Sequence, residues 1–90
     1  MALGDDLLKT RKLELGKRNI IGARVTLARK RLGMKQVELL AKLQLVGVDM
    51  SVPALSLLEG QRRPVSDIEL NALADILDVS VDWLLGRSEG

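Results

Sequence analysis

Met34 to Arg63 reads MKQVELLAKLQLVGVDMSVPALSLLEGQRR, and this stretch decides the fold. Its first part, Lys35 to Leu43, predicts a helix with Val37, Leu40 and Leu43 inward and Gln36 in the first turn. Ser51 supplies an N-cap for the next helix, because a serine oxygen there can accept from an exposed first-turn amide. Pro53 belongs in a first turn, where its missing amide hydrogen is no loss. The helix so opened runs from Val52 to Glu59, with Leu55 and Leu58 facing inward, and Gly60 ends it. Gln61-Arg62-Arg63-Pro64 then forms a polar, basic loop. Two short helices and a basic corner have the layout of a helix-turn-helix, in which the second helix enters the major groove while the first braces on the backbone. The connection, Gln44 to Met50 (QLVGVDM), exceeds the usual turn of about three or four residues. Its Leu45, Val46, Val48 and Met50 are expected to tuck it partly against the core, with Gly47 at the bend.

Upstream, Asn19 is placed to cap a helix from Ile20 to Leu32, with Ile21, Val25, Ala28 and Leu32 as its buried stripe. Arg24, Lys30 and Arg31 fall on other faces, and cations in the last turn complement the helix dipole. Gly33 stops that helix. Downstream, Ser66-Asp67-Ile68-Glu69 is a capping box opening a helix through Leu77, whose buried side is Ile68, Leu70, Leu73, Ala74 and Leu77. Ser80 caps a last short helix carrying Val81, Trp83, Leu84 and Leu85 before Gly86. The chain therefore divides into an arm over residues 1–18, a domain over 19–86 and a disordered tail over 87–90. The arm has no clean period; a short helix opened by Asp5 and Asp6 is its alternative form. Its Lys9, Arg11, Lys12, Lys17 and Arg18 suit phosphate contacts, while its leucines suit a second subunit.

Composition narrows the chemistry. Ninety residues, 47% apolar, suffice for one core, though a chain of this size buries only about 60% of its unfolded surface. With no cysteine or histidine, a Cys/His zinc site and a Ser-His-Asp arrangement are both excluded. With Trp83 the only aromatic residue, so is a stacking platform for single strands. No catalytic, metal or cofactor site is therefore expected. The N-terminus carries no continuous apolar segment behind a basic start, so no signal peptide or membrane span is expected, and a cytoplasmic location is. The net charge of +2 is unevenly placed. Met1 to Lys35 holds ten Lys/Arg against three Asp/Glu, a balance of +7, and Gln36 to Gly90 holds four against nine, a balance of −5. A polyanion is drawn to the first half and repelled by the second except near Arg62 and Arg63.

The order and spacing of these pieces resemble the lambda-repressor/Cro-like (XRE) helix-turn-helix family over Ile20 to Gly86. The resemblance is carried by IGARVTLARKRLGMKQ, by the S-x-x-x-L-S-x-L-E-G run from Ser51 to Gly60, by the basic loop to Pro64, and by ALADILDVSVDWLLG. It implies an all-α, compact five-helix lambda-repressor-like DNA-binding domain with a lengthened turn between helices 2 and 3. It also implies a structural ion pair between Arg29 and Glu59, a phosphate contact from Gln36, base reading by Ser51, Val52, Pro53, Ser56 and Leu57, and a backbone-gripping loop of Gln61, Arg62 and Arg63.

The departures bear on specificity. Lys35 stands where the family usually has a threonine cap, and Leu40 where it usually has a small alanine. Val52, Pro53, Ala54 and Leu57 replace residues that are typically polar, so the helix has none of the side chains that make bidentate base contacts. Ser51 and Ser56 can bond base edges or phosphates, Val52, Ala54 or Leu57 can touch thymine methyls, and DNA shape is expected to carry more of the selection. The expected activity is a DNA-binding transcriptional regulator, repressor-like, acting on double-stranded DNA as a homodimer. The alternative is a protein-interaction module whose partner sits on Val52, Pro53 and Leu57.

Overall fold

Five α-helices follow one another among the described residues, with no strand between them: α1 (Gly22–Arg31), α2 (Gln36–Leu45), α3 (Val52–Glu59), α4 (Asp67–Leu77) and α5 (Val81–Leu84). The computed structural model describes residues 18–89, and the expectations placed on residues 1–17 and on Gly90 lie outside them. α3 packs against α1 and α2, α4 packs against the same two helices, and α5 closes on α4. Val25, Leu39, Leu43, Leu55, Leu58, Leu73 and Leu84 are the fully buried side chains, so every helix supplies at least one. With a single aromatic among the buried residues, the core is filled by branched aliphatic chains at each crossing.

The helix ends follow their local chemistry. Asn19 Oδ1 accepts from the Ile21 and Gly22 amides at 3.1 and 2.9 Å. The first turn thus starts two residues later than periodicity alone suggests. Gly33 at φ +65 and Gly47 at φ +86 reverse the chain after α1 and α2. In each case the second residue beyond the cap donates back into the helix, Met34 to the Arg29 carbonyl and Val48 to that of Leu43. The Ser66–Glu69 capping box forms as expected, with the Ser66 hydroxyl accepting from the Glu69 amide and the Glu69 carboxylate from the Ser66 amide.

Four expectations about facing need correction. In α2 the buried residues are Leu39 and Leu43, whereas Val37 is 58% exposed and Leu40 only partly covered. The run VELLAKL offers two stripes one residue out of phase, and the stripe with two leucines four apart takes the core. Leu32 leaves the α1 stripe because it is the C-cap residue, beyond the last turn. Ile68 is 70% exposed; it lies five positions before the buried Leu73 and nine before Leu77, about 140° and 180° around the helix from them. Arg24, expected away from the core, is buried with its guanidinium 4.9 Å from the centre of the Trp83 ring.

The long connection is also shorter than expected, because α2 continues through Leu45 and only residues 46–51 join it to α3. Val48 is buried and Met50 packs on the core, while Leu45 and Val46 stay exposed. Beyond α5, Gly86 takes φ +74 and the Arg87 amide donates to the Asp82 carbonyl at 2.8 Å, where a disordered tail was expected to begin.

Candidate nucleic-acid interface

α3 is fixed from its first residue. The Ser51 hydroxyl accepts from the Ala54 amide at 3.2 Å, and Pro53 occupies the first turn without an orphaned donor. Leu55 and Leu58 are completely buried, which turns Ser51, Val52, Pro53, Ser56 and Leu57 outward together. Val52 and Leu57 keep 45% and 44% of their surface, so the outward strip is apolar with hydroxyls at two points.

A polar network ties this helix to its two neighbours. Arg29 on α1 grips Glu59 on α3 through two bonds, Nε to Oε2 at 2.7 Å and an end nitrogen to Oε1 at 3.0 Å. Both side chains are nearly covered, at 11% and 7% exposure. The other end nitrogen of Arg29 donates to the Met34 carbonyl at 2.9 Å, which fixes the approach to α2. Gln36 in the first turn of α2 donates from Nε2 to the same Glu59 Oε1 at 3.0 Å. Ser56 donates to Gln36 Oε1 at 3.4 Å, a long contact for a hydroxyl. The one carboxylate of α3 is thereby neutralised and fully hydrogen-bonded, as a covered charge requires. A side-chain amide carries two hydrogens, so Gln36 can still offer one outward.

The corner after α3 has a different construction. Gly60 is the cap residue but has φ −83; the left-handed position is taken by Gln61 at φ 61. The Gln61 amide donates to the Leu58 carbonyl and the Arg62 amide to that of Leu57, so the reversal keeps its hydrogen bonds although glycine is the usual occupant. Arg62 emerges exposed directly beyond this reversal. Asn19 holds the corner from below, its Nδ2 donating to the Leu58 carbonyl at 3.1 Å and the Arg63 carbonyl at 2.8 Å.

α1 meets this corner through Gly22, where an added Cβ would stand 2.2 Å from the Leu58 carbonyl oxygen and 2.9 Å from Gln61 Cγ. Only a residue with no side chain allows this approach.

These facts redistribute the expected roles. Arg62 is the free-standing cation of the loop in the sense that it is exposed at the helix end. Arg63, expected beside it as a phosphate grip, turns its guanidinium to Glu69 with bonds of 3.3 and 3.2 Å. Burial raises the Glu69 carboxyl, but the Ser66 amide, the Arg63 guanidinium and the Ser66 hydroxyl together outweigh it and hold that group below its ordinary value. Gln61, expected to grip the backbone, folds towards Gly22, and its Nε2 is buried with no partner among the described residues.

The α1 cations are similarly occupied, with Arg24 and Arg31 both over Trp83, the second at 5.6 Å, and Arg29 in the ion pair. Two residues that set the site carried weak sequence signals. Asn19 is legible as a cap but not as a staple to the corner, and Gly22 looks like an ordinary helical glycine until α3 is placed against it.

No group of three or more His, Cys, Asp or Glu side chains that could hold a metal ion occurs among the described residues. No helix among them is long and apolar enough to cross a membrane. Comparison of the chain with protein-family models, with curated proteins and with solved structures gives no match.

Proposed function

We propose that this chain is a double-stranded-DNA-binding transcriptional regulator of the lambda-repressor-like kind, acting in the cytoplasm and laying α3 in the major groove. The observation that carries the reading is the treatment of Glu59. The one acid on α3 is neutralised by Arg29 and further hydrogen-bonded by Gln36, which leaves the outward strip from Ser51 to Leu57 without exposed negative charge. A surface that is to approach a polyanion needs that absence, and it gains from Arg62 at the far end of the helix.

In this reading Gln36 and Arg62 position the domain on phosphates, the Ser51 and Ser56 hydroxyls and the apolar strip face the bases, and Arg63 braces the corner through Glu69. The Arg29–Glu59 pair keeps α1 and α3 in register. Two copies on two half-sites would double the contact, as helix-turn-helix dimers do.

A duplex-binding microarray run at two salt concentrations tests the proposal. The expected result is selective binding that weakens steeply with salt, with the log-log slope falling by about one unit when Arg62→Ala removes one phosphate contact. Binding that ignores salt, or that survives Arg62→Ala and Arg63→Ala together unchanged, overturns it.

A second reading, a protein-interaction module, draws on the same half-exposed Val52 and Leu57. Light scattering on Leu57→Lys separates the two. Loss of self-association with DNA binding retained or improved favours the module, and loss of DNA binding from an unchanged assembly favours the regulator.

A further inference from the structure

We propose that the outward strip of α3 reads the C5-methyl group of pyrimidines, thymine and 5-methylcytosine alike, so that cytosine methylation strengthens binding; this rests on the DNA-binding reading above. The argument begins with what the strip lacks. α3 contains no Arg, Lys, Asn or Gln, the side chains that make paired hydrogen bonds to base edges. Gln36, the nearest side-chain amide, has its oxygen facing Ser56 and its nitrogen donating to Glu59. The Ser51 oxygen is engaged with the Ala54 amide. What faces the groove is therefore Val52, Pro53 and Leu57 with the Ser51 and Ser56 hydroxyls among them, and one amide hydrogen of Gln36, which the reading above gives to a phosphate.

The C5-methyl is the apolar group that base pairs present in the major groove, so it is the feature this strip matches without burying an unpaired donor or acceptor. The spacing agrees. Val52 with Ser56, and Pro53 with Leu57, are four apart on one helix face, roughly 5–6 Å between Cβ atoms. That is a little under two base steps of about 3.4 Å each. With its side chains an α-helix is about 10–12 Å across, close to the roughly 12 Å width of the groove α3 would enter.

A protein occupant fits less well. Three half-exposed side chains fall well short of the roughly 800 Å² that each partner of a stable complex covers. The surroundings of the strip carry charge of both signs, Lys35 and Arg62 being exposed along with Glu38 and Asp49, while Glu59 is neutralised.

The test uses the full chain and a duplex it selects, probed by two substitutions that leave base pairing intact. Each thymine of the half-site is replaced in turn by deoxyuridine, which removes only the methyl. The expected loss is about four-fold for each methyl the strip covers. At a position so identified, changing T·A to C·G and then methylating the cytosine at C5 restores affinity by a similar factor. Leu57→Ala or Val52→Ala abolishes the thymine-over-uracil preference while the salt slope stays as in the parent protein; both side chains are surface groups, and unchanged Trp83 emission verifies the fold. Salt-dependent binding indifferent to deoxyuridine at every position overturns this inference and leaves the DNA reading standing. No salt-dependent binding to any duplex, with Leu57→Lys dispersing an assembly, overturns both and gives the strip to a protein partner.

Discussion

At the scale of single residues, the candidate interface depends on side chains that never face outward. Asn19 uses both ends of its amide, accepting from the first turn of α1 and donating to carbonyls at the end of α3 and in the loop beyond. Asn19→Ala removes a cap and strands two carbonyls. The expected cost is about 2–4 kcal/mol, read as a lowered midpoint in urea denaturation. DNA affinity should fall further than stability alone accounts for, because the carbonyl of Arg63 loses its anchor.

Glu69 gives a pH signature. Its carboxyl lies below the ordinary value of 4.5, since the Ser66 and Arg63 contacts prevail over burial. The stability it contributes is therefore complete above that value and is lost as pH falls through the lower, folded-state one. Acid titration of wild type and Glu69→Gln, followed by Trp83 emission, should show the wild-type advantage shrinking over that interval. An advantage unchanged by acid contradicts the assignment. Neither role could be read from the chain alone: a capping asparagine and a capping-box glutamate are local signals, whereas their second partners come from residues that only packing brings close.

At the scale of elements, the boundaries that local chemistry dictates were legible, and the helix phase was legible only where the stripe was unambiguous. Ser51, Pro53 and Gly60 bracket α3 at Val52 and Glu59, and Leu55 and Leu58 face the core as their spacing requires. α2 failed the same test because VELLAKL supports two stripes, and the choice between Leu39 and Leu40 is made by α3 and α4 rather than by α2. The reversal after α3 was placed correctly, yet its left-handed residue is Gln61 and not Gly60, a distinction that depends on where the last helical hydrogen bond falls. The crossing of α1 on α3 rests on Gly22. Gly22→Ala puts a methyl against the Leu58 carbonyl, which backbone cannot evade cheaply. The expected destabilisation is about 1–3 kcal/mol by thermal unfolding, although alanine is the better helix former by nearly that much in isolation. An unchanged or raised midpoint would mean that the two helices do not approach so closely.

At the scale of the whole molecule, charge and shape are separated. Among the acidic residues after Gln36, Glu59 and Glu69 are drawn into ion pairs beside the candidate interface, Asp49 stands exposed two residues before Ser51, and Asp67, Asp75, Asp78 and Asp82 lie exposed on or beside α4 and α5. This arrangement lets a chain of net charge +2 present a helix without exposed acid beside Arg62. The exposed Ile68, by contrast, is on the α4 side, and nothing in the proposed DNA contact uses it.

The most direct test of the central claim is the salt dependence of duplex binding, measured by fluorescence anisotropy for wild type and for Arg62→Ala. The account predicts a linear log-log plot whose slope flattens by about one unit in the variant, with Trp83 emission unaltered. A slope near zero for wild type, or the same slope for both proteins, would contradict it.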